Sequence, residues 1–285
     1  MSENEKYRIP DYETLTISSD FMFAKVMGNE KLCRKLLETI FGRKIRKIEY
    51  LELQKPIRPA ITQKGVRLDV YVEDDENTVF NVEMQATNPG NLPKRSRYYQ
   101  GMIDLNAVMR GGDYRELRDS YVVFICTSDI FDKKTAKSRH VYTFEERCVQ
   151  DQGLRLGDGS TKMFLNPVSD ADDIKPELTR FLRYVTGGAP EDEFTLEIDA
   201  EVQKARTNEE WRAEYMGLMA TQMEKYHDGL KEGRAEGIAQ GRVEGGDAVS
   251  KLIEHFVRLK QFDEVERISA DKEYRMKMLK TMNLL

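Results

Sequence analysis

The sequence lacks an apolar run near the length of about 20 residues that crosses a membrane. Its beginning, MSENEKYRIPDYETL, lacks a basic segment followed by an apolar stretch, so we expect no secretory signal. Cysteine is scarce, and Cys33, Cys126 and Cys148 are odd in number, far apart and without a CxxC pair. This usage argues against a disulfide framework and a structural zinc site, and it predicts a reducing, cytoplasmic setting.

Histidine and net positive charge are also scarce. His140, His227 and His255 show no metal-ligand spacing, and no plausible Ser or Cys nucleophile accompanies them. Cys126 stands in the apolar run VVFICTS, which favours a place in the core over a catalytic role. The net charge of −5 argues against a globally basic coat for nucleic acid. Phosphate binding needs only a local basic patch, so charge alone decides little.

The chain of 285 residues is long enough to bury at least one full core. Helix-like and strand-like segments are mixed up to about residue 168, and the pattern after that is helical. We therefore predict an α/β domain over residues 1–168 and an α-helical C-terminal region over residues 169–285.

The first domain should begin with a helix followed by strands. Residues 18–20 offer N-cap chemistry, and the apolar spacing after them predicts a helix that is broken near Gly28 and ended by Gly42. Strand-like apolar patterns occur at 45–53, 67–73, 79–86 and 120–127. The last of these is almost continuously apolar, which suits a strand buried on both faces.

The remaining segments of this domain are a helix, a strand and a hairpin. The pattern predicts a helix from 93 to about 110 and a strand at 139–147. The turn-forming run 157–160, GDGS, predicts a hairpin that joins 154–156 to 162–165.

The second and third strands have a well-specified register. With residues 75–77 as a three-residue loop, the facing pairs on one side are all apolar: Val72 with Phe80, Val70 with Val82, and Leu68 with Met84. A slip of one residue would destroy this match. The same register places Asp69 opposite Glu83 on the other face, and Gln85 points the same way.

Two facing carboxylates would form an unusual pair. Directly facing residues in a hairpin have Cβ atoms about 5 Å apart, so the two charges repel each other unless a cation compensates them. A divalent ion takes oxygen ligands, and it can bind a phosphate oxygen and lower the pKa of a water molecule. The alternative is a solvated acidic face on an ordinary hairpin, because the Asp…Glu-x-Gln pattern alone is common.

The order of elements resembles that of the PD-(D/E)XK nuclease superfamily. More closely, the chain is similar to the bacterial recombination-promoting nucleases, which are PD-(D/E)XK family transposases. The segments that carry the resemblance are DFMFAKV at 20–26, RLDV at 67–70, FNVEMQ at 80–85 and RSRYYQ at 95–100. The resemblance implies a restriction-endonuclease-like α/β fold with a mixed central sheet flanked by helices. It also implies a metal-dependent DNA endonuclease linked to recombination or mobile elements.

The resemblance further implies the roles of individual residues. Asp69 and Glu83 would bind Mg²⁺, or Mn²⁺ in its place, together with the backbone carbonyl of Met84. Gln85 would act with them in catalysis, but it stands where the wider superfamily has Lys. A neutral amide can orient the attacking water but brings no positive charge. Asp20 matches a family acid on the first helix, either as a water-mediated metal contact or as an acid facing the helix dipole.

The helix after Gln85 begins with basic and amide side chains that could contact DNA. Arg97 and Gln100 fall on one helical face, and if that face lines the site they can reach phosphate or water. Lys94 and Arg95 would then lie nearer the mouth of the site. The alternative is an ordinary helix with its basic residues in solvent and its tyrosines packed on the sheet.

The C-terminal region is predicted as helices at 176–185, 200–231, 248–260 and 263–282. Within 229–246, glycine recurs at every fourth residue: Gly229, Gly233, Gly237, Gly241 and Gly245. Each glycine costs a helix about 1 kcal/mol relative to alanine. The spacing predicts either a stripe for close helix approach, and hence a homo-oligomer, or a flexible hinge. Such a repeat is also typical of the family that the chain resembles.

Two functional interpretations remain open at this point. The first is a metal-dependent nuclease acting on DNA. The second is a catalytically inactive module on a nuclease fold that binds nucleic acid or protein. Gln85 in place of Lys keeps the second interpretation open, whereas the intact pair of Asp69 and Glu83 favours the first, since an inactive copy has no need of paired acids.

Overall fold

The computed structural model describes residues 9–57, 65–108, 112–131 and 138–284. Contacts between Cα atoms divide the chain into two compact units, Met1–Tyr215 and Met216–Leu285. The first unit therefore includes helices that follow residue 168, and one of these, Glu193–Arg206, contacts the helices Asp20–Met27 and Glu30–Phe41. A domain boundary at residue 168 stays a prediction.

The first unit contains a six-stranded sheet within the described ranges. Its strands are β1 (Ile48–Ile57), β2 (Val66–Asp74), β3 (Val79–Gln85), β4 (Ser120–Cys126), β5 (Val141–Phe144) and β6 (Ser160–Leu165). The helices of this unit are α1 (Asp20–Met27), α2 (Glu30–Phe41), α3 (Leu92–Ala107), α4 (Pro176–Val185) and α5 (Glu193–Arg206). The helix α6 (Glu209–Arg258) follows, and then come α7 (Phe262–Ala270) and α8 (Lys272–Thr281).

The sheet is mixed, with the strand order β1-β2-β3-β4-β6-β5. The first three strands are antiparallel neighbours, β4 pairs in parallel with both β3 and β6, and β5 closes the edge antiparallel to β6. A short turn joins β2 to β3, whereas α3 carries the chain from β3 to β4, as a parallel connection requires. A mixed sheet flanked by helices confirms the predicted restriction-endonuclease-like fold class.

The break between the first two helices follows from the residues at 28 and 29. A Cβ atom on Gly28 would lie 2.9 Å from Leu53 Cδ1, so a larger residue at this position would require the Leu53 side chain of β1 to shift. The side chain of Asn29 then caps α2 by accepting a hydrogen bond from Lys31 N at 3.1 Å. Gly42 ends α2 with a left-handed φ of 64°. The predicted break near Gly28 and the predicted end at Gly42 are both confirmed.

The hairpin predicted around residues 157–160 is wrong. β6 pairs instead with β4 in parallel and with β5 in the antiparallel sense, while Arg155 forms an isolated bridge to Arg147. Gly157 and Gly159 do adopt the positive φ angles of a turn, 71° and 73°. That turn leads the chain into β6 beside the buried strand β4, whose apolar surface is a better partner than the exposed segment 154–156.

The helix predicted over 200–231 is also wrong in its bounds. α5 begins at Glu193, because Asp192 and Thr195 form a reciprocal capping box at its N-terminus. A new helix then begins after Asn208, whose Oδ1 accepts a hydrogen bond from Trp211 N at 3.0 Å. The apolar periodicity runs through both helices, whereas the caps at Asp192 and Asn208 set the boundaries.

The second unit has a small apolar core of its own. This core consists of Ala248, Leu252, Phe256, Ile268 and Leu279. The glycine repeat lies inside α6, and the segment 229–246 is helical throughout. A Cβ atom added at any glycine of the repeat would meet open space. No helix in the described part of the chain is both long and apolar enough to cross a membrane.

Candidate active site

The register of β2 and β3 agrees with the one predicted from their apolar residues. The pairing runs from Glu73 opposite Val79 to Val70 opposite Val82. The strands separate beyond the last of these pairs, which leaves backbone groups of both strands without a partner in the ladder. The predicted acidic pair lies at this point of separation.

The two carboxylates exchange hydrogen bonds with the opposite strand. Asp69 N donates to Glu83 Oε1 at 3.0 Å, and Met84 N donates to Asp69 Oδ2 at 3.1 Å. Each carboxylate therefore takes the place of a backbone acceptor, since Asp69 pairs neither with Gln54 of β1 nor with Glu83 of β3 in the sheet register. The exchange holds both carboxylates in the gap between the strands, and it confirms that the two residues lie side by side on neighbouring strands.

This pair is buried. Glu83 is 0% exposed and Asp69 is 6% exposed. Burial raises the pKa of Asp69 well above its ordinary value, and the negative charges of Glu83 and Asp20 raise it further. Burial also raises the pKa of Glu83, although the hydrogen bond from Asp69 N and the charge of Arg95 oppose this. Two buried acids with raised pKa values form a site that a cation would stabilise.

Arg95 and Gln85 complete the contacts around Glu83. Arg95 Nη2 lies 3.2 Å from Glu83 Oε2, and Arg95 Nη1 donates to Gln85 Oε1 at 2.8 Å. Gln85 Nε2 donates in turn to the backbone carbonyl of Met84 at 2.9 Å. The structure thus brings the predicted catalytic residues together with Arg95, which we had expected nearer the mouth of the site.

Aromatic side chains support the Arg95 guanidinium. Arg95 Nε donates to the hydroxyl of Tyr99 at 2.8 Å. The guanidinium carbon lies 4.9 Å from the ring centroid of Tyr99 and 5.6 Å from that of Phe124. These distances are within the range of cation–π attraction. The spacing of four residues between Arg95 and Tyr99 on α3 was a sequence signal for this contact that we missed.

Asp20 lies at the start of α1 and influences the pair through its charge. Its Oδ1 accepts a hydrogen bond from Phe21 N at 2.8 Å, and its Oδ2 lies 3.7 Å from Arg67 Nη2. No group of three or more His, Cys, Asp or Glu side chains is gathered as metal ligands in the described ranges. The hydrogen bond from Phe21 N supports the helix N-terminal role of Asp20, and a water-mediated metal contact stays a prediction.

The oxygen atoms at this site fit a small divalent cation. Asp69 and Glu83 supply two carboxylates, and the N–H of Met84, which points at Asp69, places the carbonyl of the same residue on the same side of β3. Mg²⁺ is usually bound by one or two carboxylates, with water and substrate phosphate filling the remaining positions. Two buried acids beside one backbone carbonyl suit that preference.

The remaining predicted DNA contacts separate into two groups. Lys94 and Arg97 are exposed on α3. Gln100 is 7% exposed, and its Nε2 donates to Ser120 Oγ at 2.6 Å and to Asp104 Oδ1 at 3.0 Å. Because Ser120 begins β4, at the end of the sheet opposite to Gln85, the structure does not bring Gln100 to the acidic pair. Arg97 and Gln100 are three residues apart on α3, but Arg97 is exposed and Gln100 is buried, so the two do not line one surface as predicted.

Comparison with known proteins agrees with this arrangement. A mixed sheet that holds buried acids on two central strands, with a helix closing over them, defines a core of the restriction-endonuclease type. The family model described as "PD-(D/E)XK nuclease family transposase" matches residues 17–166, just over half of the chain. The chain belongs to this family. No curated protein and no solved structure matches it significantly.

Proposed function

We propose that this protein is a metal-dependent DNA endonuclease that hydrolyses phosphodiester bonds. The observation that carries the proposal is the buried pair of Asp69 and Glu83, held on separating strands by each other's backbone. Ordinary solvated acids on a hairpin would not be buried. Membership of a nuclease family gives the coarser class of activity.

The protein's own residues have distinct roles in this reaction. Asp69, Glu83 and the carbonyl of Met84 hold Mg²⁺ or Mn²⁺. The ion, when bound, supplies Lewis-acid activation of the phosphate and of the attacking water. Gln85 orients that water, because its Oε1 uses one lone pair on Arg95 and keeps a second as an acceptor. Burial of the acids excludes bulk water from the rear of the site.

The substrate contacts proposed for α3 are electrostatic. Lys94 and Arg97 are exposed near the first turn of the helix that also carries Arg95. Contacts to phosphates position DNA without reading its sequence. We therefore propose that Lys94 and Arg97 place the backbone of DNA across the site, with Arg95 at its inner end.

The biological setting follows from the family and from the cysteines. The family description connects the chain with transposases, and we infer a role in recombination or in mobile elements. Cys33, Cys126 and Cys148 are free, which fits a reducing cytoplasm. The exposed glycine repeat of α6 is proposed as a contact between copies of the chain.

A second candidate function rests on a specific contact. The Arg95–Glu83 ion pair partly neutralises the acidic site without any metal, and Gln85 brings no charge of its own. A protein that had lost catalysis could keep the Arg95–Glu83 ion pair because the pair stabilises the fold. That protein would bind nucleic acid or another protein through the same fold.

A cleavage assay separates these two candidates. We expect purified protein to nick or cut single-stranded, duplex or branched DNA with Mg²⁺ or Mn²⁺, and EDTA should abolish the activity. Asp69→Asn and Glu83→Gln should each lose about 100-fold or more, and the double variant should lose little beyond either, because both residues act through one ion. Asp104→Asn, a half-buried acid on α3 bonded to Gln100, is the matched control and should retain activity.

The inactive-module interpretation predicts a different result. If the wild type cuts none of these substrates with either ion, the nuclease proposal fails. Cleavage that survives both Asp69→Asn and Glu83→Gln would place the chemistry elsewhere.

A further inference from the structure

The acidic site contains a positive charge that belongs to the protein. Glu83 forms one ion pair in the described part of the chain, with Arg95 Nη2 at 3.2 Å, and Asp69 forms none there. Arg67, the other nearby arginine, is directed to Asp20 at 3.7 Å. Arg95 is therefore the cation in direct contact with the buried pair.

The three donor groups of Arg95 are all engaged. Nη2 contacts Glu83, Nη1 donates to Gln85 at 2.8 Å, and Nε donates to the hydroxyl of Tyr99 at 2.8 Å. This fork fixes the carboxylate and the carboxamide relative to each other, which a lysine ammonium could not do with the same geometry. The Arg95 side chain is 31% exposed, so the guanidinium lies partly inside the protein.

The same contacts occupy the oxygens that suit a divalent ion. Arg95 covers Glu83 Oε2, and Gln85 Nε2 covers the carbonyl of Met84. Both donors are ends of side chains, whereas the hydrogen bonds from Asp69 N and Met84 N come from the backbone. Arg95 Nη2 and Gln85 Nε2 can leave these oxygens without a change in the strands, while Arg95 Nη1 keeps its hydrogen bond to Gln85 Oε1.

We propose that Arg95 is a positioning residue that acts as the site's own cation: it holds Glu83 and Gln85 in place and competes with the divalent ion for Glu83. The inference rests on the proposed nuclease function and assigns Arg95 a role that differs from a simple contact with DNA. Gln85 on β3 is neutral where the wider superfamily has Lys, and Arg95 on α3 supplies a positive charge at the site instead.

The proposal predicts opposite effects on metal binding and on catalysis. Arg95→Gln removes a positive charge that repels the divalent ion, so Mn²⁺ should bind the DNA-free protein about tenfold more tightly even under strong solvent screening. The same variant no longer fixes Gln85, so cleavage at saturating Mn²⁺ should be at least about tenfold slower. A merely structural role would weaken both properties together.

The experiment is titration calorimetry of Mn²⁺ into wild type and variants, with single-turnover cleavage measured at saturating Mn²⁺. Arg95→Lys keeps the charge, and its Mn²⁺ affinity should lie within about twofold of wild type. The double variant Arg95→Gln, Gln85→Lys moves the charge to β3 and should return the affinity towards the wild-type value. Arg115→Gln, which removes an exposed arginine paired with Asp113, is the matched control and should change neither quantity.

Each outcome bears on the proposal. Tighter Mn²⁺ binding with slower cleavage in Arg95→Gln supports it. Unchanged or weaker binding in that variant overturns it. Mn²⁺ binding by Arg95→Lys close to that of wild type would show that replacement of Arg95 does not by itself unfold the site. A wild type that binds neither Mn²⁺ nor Mg²⁺ also overturns it. A wild type that binds Mn²⁺ but never cuts DNA overturns the nuclease proposal alone, because the calorimetric comparison still decides the role of Arg95.

Discussion

Asp69→Asn should stabilise the metal-free protein at neutral and alkaline pH. The substitution removes one of two adjacent buried acids but keeps an oxygen that can accept the hydrogen bond from Met84 N. The shape of the site is retained, and the remaining acid, Glu83, still has Arg95 as its ion-pair partner. The change therefore tests the electrostatic cost of the pair with little effect on packing.

The sign of the pH dependence follows from the raised pKa of Asp69. From the ordinary value of 3.8 up to the raised pKa, the folded chain holds a proton that the unfolded chain has released. Stability is then fully present at acid pH and falls as the pH rises towards the raised pKa, by about 1.4 kcal/mol for each pH unit between the two pKa values. We expect Asp69→Asn to exceed wild type by about 1–3 kcal/mol at pH 8, and the two to converge near pH 4.

Thermal unfolding in EDTA from pH 4 to pH 9 measures this difference. For a protein of this size, about 2–4 °C of Tm corresponds to each kcal/mol. Addition of Mg²⁺ should reverse the order, because the ion binds the wild type and loses an oxygen ligand in the variant. Asp104→Asn should show a smaller gain, since no second carboxylate of a buried pair faces it. A variant that is less stable than wild type at pH 8 in EDTA would refute the reasoning.

Two further predictions concern the α3 surface and the glycine repeat. Lys94→Gln and Arg97→Gln should weaken DNA binding on any sequence, and each should lower the slope of log affinity against log salt by about one, because one phosphate is no longer neutralised; unchanged slopes would remove these residues from the DNA path. Leucine in place of Gly233, Gly237 and Gly241 fits the open space around α6 and should raise helicity, but it should disrupt self-association if the repeat is an interface. An unchanged sedimentation coefficient would leave the stripe without that role.

The hairpin of β2 and β3 could be predicted because several apolar pairs agree on one register. Val70, Val72, Val82 and Phe80 are each 0% exposed, and a slip of one residue would have placed them all on the other face. The position of Asp69 beside Glu83 followed from that register. The pattern of apolar side chains was therefore sufficient to locate the acidic pair.

The separation of the strands at the acidic pair could not be predicted in the same way. From the geometry of a regular ladder, Asp69 N should donate a hydrogen bond to a backbone carbonyl, whereas it donates to Glu83 Oε1. The exposure of the individual basic residues of α3 could not be predicted either. Arg95 points inwards and Lys94 points outwards, although both are basic residues in one helical turn. The inward position of Arg95 depends on Phe124 of β4, which is distant from it in the sequence, as well as on Tyr99 of the same helix.

Helix boundaries beyond residue 168 were limited by a different factor. The apolar spacing of α5 and α6 continues across the break at 207–208, so periodicity predicted one helix where the structure has two. The cap residues Asp192 and Asn208 carried the missing information. Local hydrogen bonds at helix ends therefore decided what the hydrophobic pattern left open.

The most direct test of the central claim is a crystal soaked in Mn²⁺, with anomalous scattering measured at the manganese edge. We predict one peak within bonding distance of Asp69 and Glu83, with the carbonyl of Met84 as a further ligand, Arg95 Nη2 displaced from Glu83 Oε2 and Arg95 Nη1 still bonded to Gln85. The peak should be lost in Asp69→Asn crystals. A wild-type crystal without a peak between these two carboxylates, at a Mn²⁺ concentration that supports DNA cleavage, would contradict the assignment of this site as the metal centre.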